Sequence, residues 1–337
     1  MAAPLFEFEE YEGTKNNKYK WTCNQCNTEF EDSIWNGKTP RCPVCYPVTT
    51  GSSKMEKEVS DFCKQYVQVI DHDRTVLSNN QELDIYIPSC NLAIEFNGLY
   101  WHSEVSGGKD RHYHVNKMLE CNAKGIKLIH IFENEWFDHQ EIIKSIILHK
   151  LGKTKNKVFA RKCEIGEIDS KMATEFFEKY HIQGAKTGIN CGLFYENELI
   201  FLVSMGKSRF NKNYDYELLR VCGKTDYLVI GGLSRILKFL IKKYEILSII
   251  TYADARYGDG KAYLNSGFKF IHLAKPNYFY FHESDHTLWS RNKFQKHKLE
   301  KNLEFFDVSQ TEWQNMKINK YDRIWDCGNY VFAWEKV

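Results

Sequence analysis

Proline is scarce in this chain, with 6 residues in 337, and several features that would set it apart from ordinary globular proteins are missing. No apolar run approaches the ~20 residues that cross a bilayer. The start Met1-Ala2-Ala3-Pro4-Leu5-Phe6-Glu7 lacks a secretory pattern. These absences argue against a membrane partner and predict a cytoplasmic location. There is no internal repeat or low-complexity tract, which argues against solenoids and disorder. Excess charge of one sign is also lacking: 46 Lys and Arg against 44 Asp and Glu leave +2. Bulk electrostatics therefore announce no polyanionic partner, and local clusters matter more. Cysteine is plentiful. Eleven cysteines, an odd number in a long chain, fit reduced thiols and a metal site better than a disulfide framework.

The strongest pattern is Cys23-x2-Cys26 and Cys42-x2-Cys45, with fifteen residues between the pairs. A CxxC turn offers two thiolates to one ion, and two such turns complete a tetrahedron, as structural zinc requires. Phe30 and Ile34, with Trp21 and Trp35, supply a core too small to hold without metal. Four thiolates leave no position for water, so the role expected for Zn2+ is structural. Lys18, Lys20, Trp21 and Lys38 make this module a candidate DNA contact.

After the polar stretch Val48 to Ser53, periodicity predicts a helix from Met55 to Tyr66, strands at Leu83–Ile87 and Leu92–Phe96, and a helix from Arg111 to Lys124 before Gly125. A buried strand, Leu128–Phe132, and a helix, Glu141–Leu151, complete an α/β unit. A second linker, Gly152 to Lys157, opens a further α/β stretch. Its expected elements are a hairpin (Asn190–Tyr195, Leu199–Met205), strands at Tyr216–Cys222 and Ser248–Ala253, and an apolar helix after Gly231-Gly232-Leu233-Ser234. Aromatic strands (Tyr278–Phe281, Tyr330–Trp334) and a basic helix after Ser290 follow. The expected domains are 1–50, 54–151 and 157–337.

Within 54–151 the acidic residues stand in unusual places. Asp84 lies inside an apolar strand, and Glu95 sits between Ile94 and Phe96, where an unpaired carboxylate is costly to bury. Paired strands would bring both to one edge, with Glu56 on the preceding helix as a third carboxylate. Such hard oxygen donors suit Mg2+ or Mn2+, which activate water against a phosphodiester. Asn97 and His102 follow on the loop leaving the strand, and His102 is a candidate proton carrier near neutral pH.

Together Glu56, Asp84, Glu95-Phe96-Asn97-Gly98 and Trp101-His102 resemble the PD-(D/E)xK nuclease fold in its very-short-patch-repair-like branch. The stretch from Tyr113-His114 through Lys117 to Leu128–Trp136 continues the resemblance, which extends over 54 to about 150. Free-standing phage homing endonucleases share the arrangement, often behind a zinc module. The resemblance implies that Asp84 binds the metal, that Glu56 and His102 are the helical glutamate and the post-tryptophan histidine, and that Glu95 is the acidic residue of the motif. Asn97 replaces the motif's lysine, so His114 and Lys117 are the expected substitutes, Lys117 stabilising transition-state charge.

In the C-terminal half, Gly231–Ser234 before a helix is a candidate phosphate cradle. The element order, with Tyr263-Leu264-x2-Gly267-Phe268, resembles the acyl-CoA N-acyltransferase fold, including phage DNA-modification proteins. Two roles follow for this half: DNA recognition through Lys207, Arg209, Lys212, Arg256, Arg291, Lys293, Lys296 and Lys298, or acyl transfer to a base. The chain is thus expected to be an α/β multidomain protein: a zinc ribbon, a restriction-endonuclease-like core and an acyltransferase-like domain. The expected function is a Mg-dependent, site-specific DNA endonuclease resembling phage homing endonucleases, cytoplasmic, and in the host cytoplasm if phage-encoded. The alternatives are a DNA-targeted acyltransferase and a non-catalytic DNA-binding protein. Double-stranded DNA is the expected partner, no obligatory protein partner is evident, and cutting both strands would require a homodimer or sequential nicks.

Overall fold

The computed structural model describes residues 2–5, 17–34, 39–40, 42–45, 53–285 and 287–336. Trp35, Lys38 and most of the first linker, 48–52, lie outside the described residues. The chain forms two compact units, Met1–Asp61 with Tyr280–Asp322, and Phe62–Phe279 with Arg323–Val337. The second unit therefore holds most of both stretches that the sequence sets apart as 54–151 and 157–337.

In the first unit β1 (Ala2–Pro4), β2 (Lys18–Cys23) and β3 (Glu29–Ser33) form an antiparallel sheet in that order. Tyr19 and Trp21 are its buried aromatics, packed against Phe30 and Ile34. Trp21 is 4 % exposed and its indole N–H donates to the Asp32 carbonyl at 3.0 Å. It is a core residue, a correction to its expected DNA contact. Helix α1 (Lys54–Lys64) opens with a Ser53-x2-Glu56 capping box: the Glu56 N–H donates to Ser53 Oγ at 3.0 Å, and the Ser53 N–H to Glu56 Oε2 at 3.4 Å.

The second unit begins with a four-stranded sheet in the order β4 (Ile70–Asp73), β5 (Leu83–Ile87), β6 (Leu92–Asn97), β7 (Lys127–Phe132). β5 and β6 are an antiparallel hairpin whose tight link is allowed by Asn91, at φ 46°. β6 and β7 run parallel, which requires a crossover; helix α2 (Tyr113–Ala123) supplies it. α2 ends in a Schellman turn, Gly125 at φ 75° and the Ile126 N–H on the Cys121 carbonyl at 2.9 Å. Helices α3 (Glu133–Asp138) and α4 (Gln140–Lys150) follow.

Beyond Leu151, β8 (Asn156–Phe159), β9 (Glu164–Ile168), α5 (Ser170–Tyr180), β10 (Ile189–Tyr195), β11 (Glu198–Lys207), β12 (Tyr216–Gly223), β13 (Tyr227–Ile230), α6 (Gly232–Tyr244), β14 (Ser248–Asp254), α7 (Lys261–Leu264), β15 (Lys269–Leu273), β16 (Tyr278–His282), β17 (Trp289–Ser290), α8 (Leu299–Asn302), α9 (Glu312–Ile318), β18 (Tyr321–Trp325) and β19 (Asn329–Glu335) complete the chain. The large sheet has the order β15-β19-β14-β12-β11-β10-β9. α6 buries Leu233, Ile236, Leu237 and Leu240 in one core cluster of this sheet, and α5 buries Ala173, Phe176 and Phe177 in another. β12 and β14 are its parallel pair, registered only from Tyr216–Ile249 to Leu218–Thr251.

The basic helix expected after Ser290 is instead two 3-10 turns, Arg291–Lys293 and Lys296–Lys298, before the short α8. The Lys298 ammonium takes the Asn292 carbonyl and the Asn302 amide takes that of Lys293, both at 2.8 Å. Carbonyls that an α-helix would use are thus bonded sideways. Among the described residues no helix is long and apolar enough to cross a membrane.

Candidate active site

Asp84 and Glu95 face one another across the β5–β6 hairpin, one step beyond the Ile85–Ile94 pair. Each carboxylate accepts the main-chain N–H beside the other: Phe96 donates to Asp84 Oδ2 at 2.8 Å, and Asp84 to Glu95 Oε1 at 3.3 Å. Register and side-chain alternation place both on the sheet face covered by α2. From α2, Lys117 reaches down and pairs with Glu95 Oε2, its side chain 3 % exposed against 1 % for the glutamate. Asn97 stands two residues after Glu95, and the lysine that meets Glu95 comes from a helix.

Burial, then the Asp84 charge, push Glu95 up to about 8, against the pull of Lys117. Burial also raises Asp84. For Lys117 burial works against the ammonium, but Glu95 and Asp84 outweigh it and the pKa rises. With both acids ionised, two carboxylates share one ammonium and leave the site short of positive charge. A hard divalent ion fits that deficit, because magnesium takes one or two carboxylates and completes its shell with water and phosphate oxygens.

A row of imidazoles continues the same polar layer. His114 Nε2 lies 3.4 Å from His102 Nδ1, and the rings stack at 5.6 Å. His114 and His130 meet edge to face at 5.2 Å. Burial, then the charge of His114, hold His102 well below 6.5. Burial likewise holds His114 at about 3, against the Trp325 main-chain bond. The expected titration of His102 near neutral pH is therefore corrected: it is a neutral ring. Asn97 is wholly buried, its amide directed to His130 Nδ1 at 3.3 Å and to the Glu95 and Ile131 carbonyls at 3.4 Å. Those contacts tie β6 to β7, so of the two groups expected to meet developing charge, Lys117 is the one placed beside the carboxylates. Sequence reading gave His130 no role. Its signal was a polar residue inside the apolar run Leu128–Phe132, in register with Glu95.

Glu56 belongs to α1, where its carboxylate closes the capping box. Glu133 and Glu135 have their own structural tasks. Glu133 Oε2 accepts the Leu99 N–H at 2.9 Å, holding the loop after β6, and Glu135 Oε2 accepts the Phe132 N–H at 2.9 Å.

The four cysteines gather their sulfurs within 4.8 Å of one another. The Cys23–Cys45 and Cys26–Cys42 sulfurs are 3.7 and 3.6 Å apart, close to the roughly 3.8 Å edge of a tetrahedron with ~2.3 Å zinc–sulfur bonds. The donor set fits a closed tetrathiolate. Among the described residues it is the one group of three or more ligating side chains assembled around a single point.

The basic residues expected on DNA fall in both units. Lys207 lies over the Tyr216 ring at 4.2 Å, Arg209 pairs with the buried Glu217, and Lys212 bonds the Ser208 carbonyl at 2.7 Å. In the other unit Arg291 reaches Glu312 at 3.3 Å, Lys293 covers Trp289 at 3.1 Å, and Lys296 is exposed. Arg256 departs from expectation. It is 2 % exposed and paired with Asp254 at 2.8 Å and Glu135 at 2.9 Å, so it is a structural clamp and not a phosphate contact.

Where β12 and β14 part, a cavity of about 840 Å³ opens, lined by Gly231, Gly232 and Ser234 at the start of α6, by Arg220 and Thr251, and on its far wall by α4. Gly231 has φ 78°, and a Cβ on Gly232 would meet the Phe201 ring at 3.1 Å. The glycine pair is thus needed by the turn itself.

No protein-family model and no curated protein sequence matches the chain. Its C-terminal half is similar to solved acetyltransferase structures. A GNAT family acetyltransferase from Elizabethkingia anophelis with acetyl-CoA bound is 12 % identical with a TM-score of 0.30, covering 52 % of this chain and 99 % of that one. The ribosomal-protein-S18-alanine N-acetyltransferase from Escherichia coli is 12 % identical with a TM-score of 0.29, covering 51 % and 93 %.

Proposed function

We propose that this protein is a divalent-metal-dependent endonuclease acting on double-stranded DNA. The observation that carries this reading is the buried Lys117–Glu95 pair, brought from a helix to a strand position that lies across the hairpin from Asp84. Asp84 and Glu95 would hold magnesium or manganese. Bound there, the ion would polarise a phosphate oxygen and lower the pKa of an attacking water. Lys117 supplies fixed positive charge beside the transferring phosphoryl group. His102 and His114, held in the neutral form by burial, line the same polar layer. Zinc on Cys23, Cys26, Cys42 and Cys45 is structural in this reading. Supercoiled plasmid incubated with the protein and magnesium should be nicked or linearised, EDTA should stop it, and Asp84→Asn should abolish it while leaving DNA binding intact. Unaltered cleavage by Asp84→Asn would defeat the assignment.

A second reading attaches to the other half. The parted parallel strands and the glycine turn beneath them offer room and main-chain donors for an acyl-CoA thioester. Calorimetric titration of the full chain with acetyl-CoA tests this reading. Absence of binding at millimolar concentration leaves the nuclease reading alone.

A further inference from the structure

The large cavity carries an unbalanced charge. Its lining includes the cations Lys127, Lys150, Arg220, Lys224 and Lys261 but only two carboxylates, Asp254 and Asp259. Most of these groups are already engaged. Asp254 belongs to Arg256, and Lys224 pairs with Glu198 on the rim. Arg220 donates to the carbonyls of Gly184 at 2.9 Å, Gln183 at 3.1 Å and its neighbour Leu219 at 2.8 Å. What remains is three lysines around one aspartate: Lys127 at 2.8 Å and Lys261 at 3.5 Å from Asp259 Oδ2, with Lys150 half-buried beside them. A smaller adjoining pocket is lined by Lys127, Lys150 and Asp259 again, so the cluster faces open space on two sides.

Burial, then the neighbouring charge of Lys127, depress Lys150, and Asp259 only partly offsets them. Three ammoniums against one carboxylate leave about two positive charges along the lining, a net charge that favours a dianion. The lining also includes apolar side chains, Ile142 and Ile146 of α4 with Leu228 and Leu233. A volume of about 840 Å³ falls in the range that encloses a small organic molecule.

We propose that Lys127, Lys150 and Lys261 form a phosphate-binding pole in this cavity, which takes a small organic phosphate: a di- or monophosphate end on the lysines and an apolar or aromatic body along α4. Two of the three lysines, Lys127 on β7 and Lys150 at the end of α4, come from the nuclease-like part of the unit, so the site is composite. It does not depend on cleavage at Asp84. Nor does it depend on thioester chemistry, although it shares the cavity of the acyl-CoA reading.

The test is calorimetric titration of the full-length, zinc-loaded protein with inorganic pyrophosphate and with ADP, in the absence of magnesium. Both should bind. Affinity should fall at least about tenfold in Lys150→Gln and further in Lys127→Gln/Lys150→Gln, and stay unchanged in the exposed control Lys153→Gln. Lys150→Gln leaves the Lys127–Asp259 pair in place, so it carries the test should the double variant fail to fold. No heat from either probe at millimolar concentration overturns the proposal, as does an equal loss in Lys153→Gln. So does a double variant that weakens binding of a short DNA duplex but not of the two small anions, since the lysines would then track a nucleic-acid backbone.

Discussion

Glu95 shows how one residue can be read from two sides. Its place between Ile94 and Phe96 marked it as costly, and Lys117, 22 positions later, is what offsets that cost. A partner reached across a helix crossover leaves no trace in local spacing, so the sequence exposed the problem and not its solution. Removing the solution should be expensive above about pH 8, where Glu95 is ionised: Lys117→Met then leaves two carboxylates in a buried layer, and a loss of about 3–5 kcal/mol is expected in urea unfolding of the metal-free protein. A loss under about 1 kcal/mol would mean the pair is solvated. The pKa of about 8 on Glu95 also sets a pH dependence. The folded value lies above the ordinary 4.5, so the folded chain holds a proton that the unfolded chain releases between the two values. The stability contributed by protonated Glu95 is full below about pH 4.5 and is lost as pH rises through about 8. A metal competes with that same proton. Manganese affinity followed by calorimetry should therefore rise with pH up to about 8, by as much as about tenfold per unit, and lose that slope in Glu95→Gln.

Elements were more legible than partnerships. β5 was bounded correctly by its alternation of Leu83, Ile85 and Ile87 with Asp84 and Tyr86, because one face is buried and the period is two. β6 is buried on both faces, so its apolar run carried less information about direction, and β4, with Ile70 exposed and Asp73 buried, carried none. The cysteine module was legible because metal geometry, unlike packing, imposes spacing. Among the described residues its hairpin buries Tyr19 and Trp21, with Phe30 and Ile34 packed against them. A structural zinc contributes ~10–16 kcal/mol of apparent binding energy at neutral pH, more than so small a cluster of side chains supplies. Mercurial titration should release one zinc per chain, and the Trp21 fluorescence should shift to the solvated position as it leaves. Release without any change at Trp21 would show that the hairpin stands without metal. Gly260 tests packing at the same scale. It has φ 71°, and a Cβ there would fall 1.9 Å from the Phe332 ring, so Gly260→Ala should cost more than about 2 kcal/mol.

At the scale of the molecule, a linear reading divides at the linker Gly152–Lys157, whereas the fold closes over it. β8, which begins inside that linker at Asn156, pairs in parallel with β13 some seventy residues later. Ala255 and Cys327 sit in the same buried cluster as Leu83, Ala93, Val115 and Met118. Arg256 is the polar centre of this join. Its guanidinium bridges Asp254 at the end of β14 and Glu135 on α3, its carbonyl accepts the His130 N–H at 3.2 Å, and its cation lies 4.3 Å from the Phe132 ring. Tyr257 adds its hydroxyl to the same Glu135. Arg256→Met would strand two carboxylates in the interior, a change worth about 3–5 kcal/mol. Because the charges belong to both the four-stranded sheet's layer and the large sheet, the whole of the second unit should feel the loss. The expected calorimetric trace is a single transition for this unit that moves as one in the variant. If the trace instead shows two transitions and only one moves, residues 62–151 and 157–279 fold independently, and the buried arginine holds together parts that do not need each other.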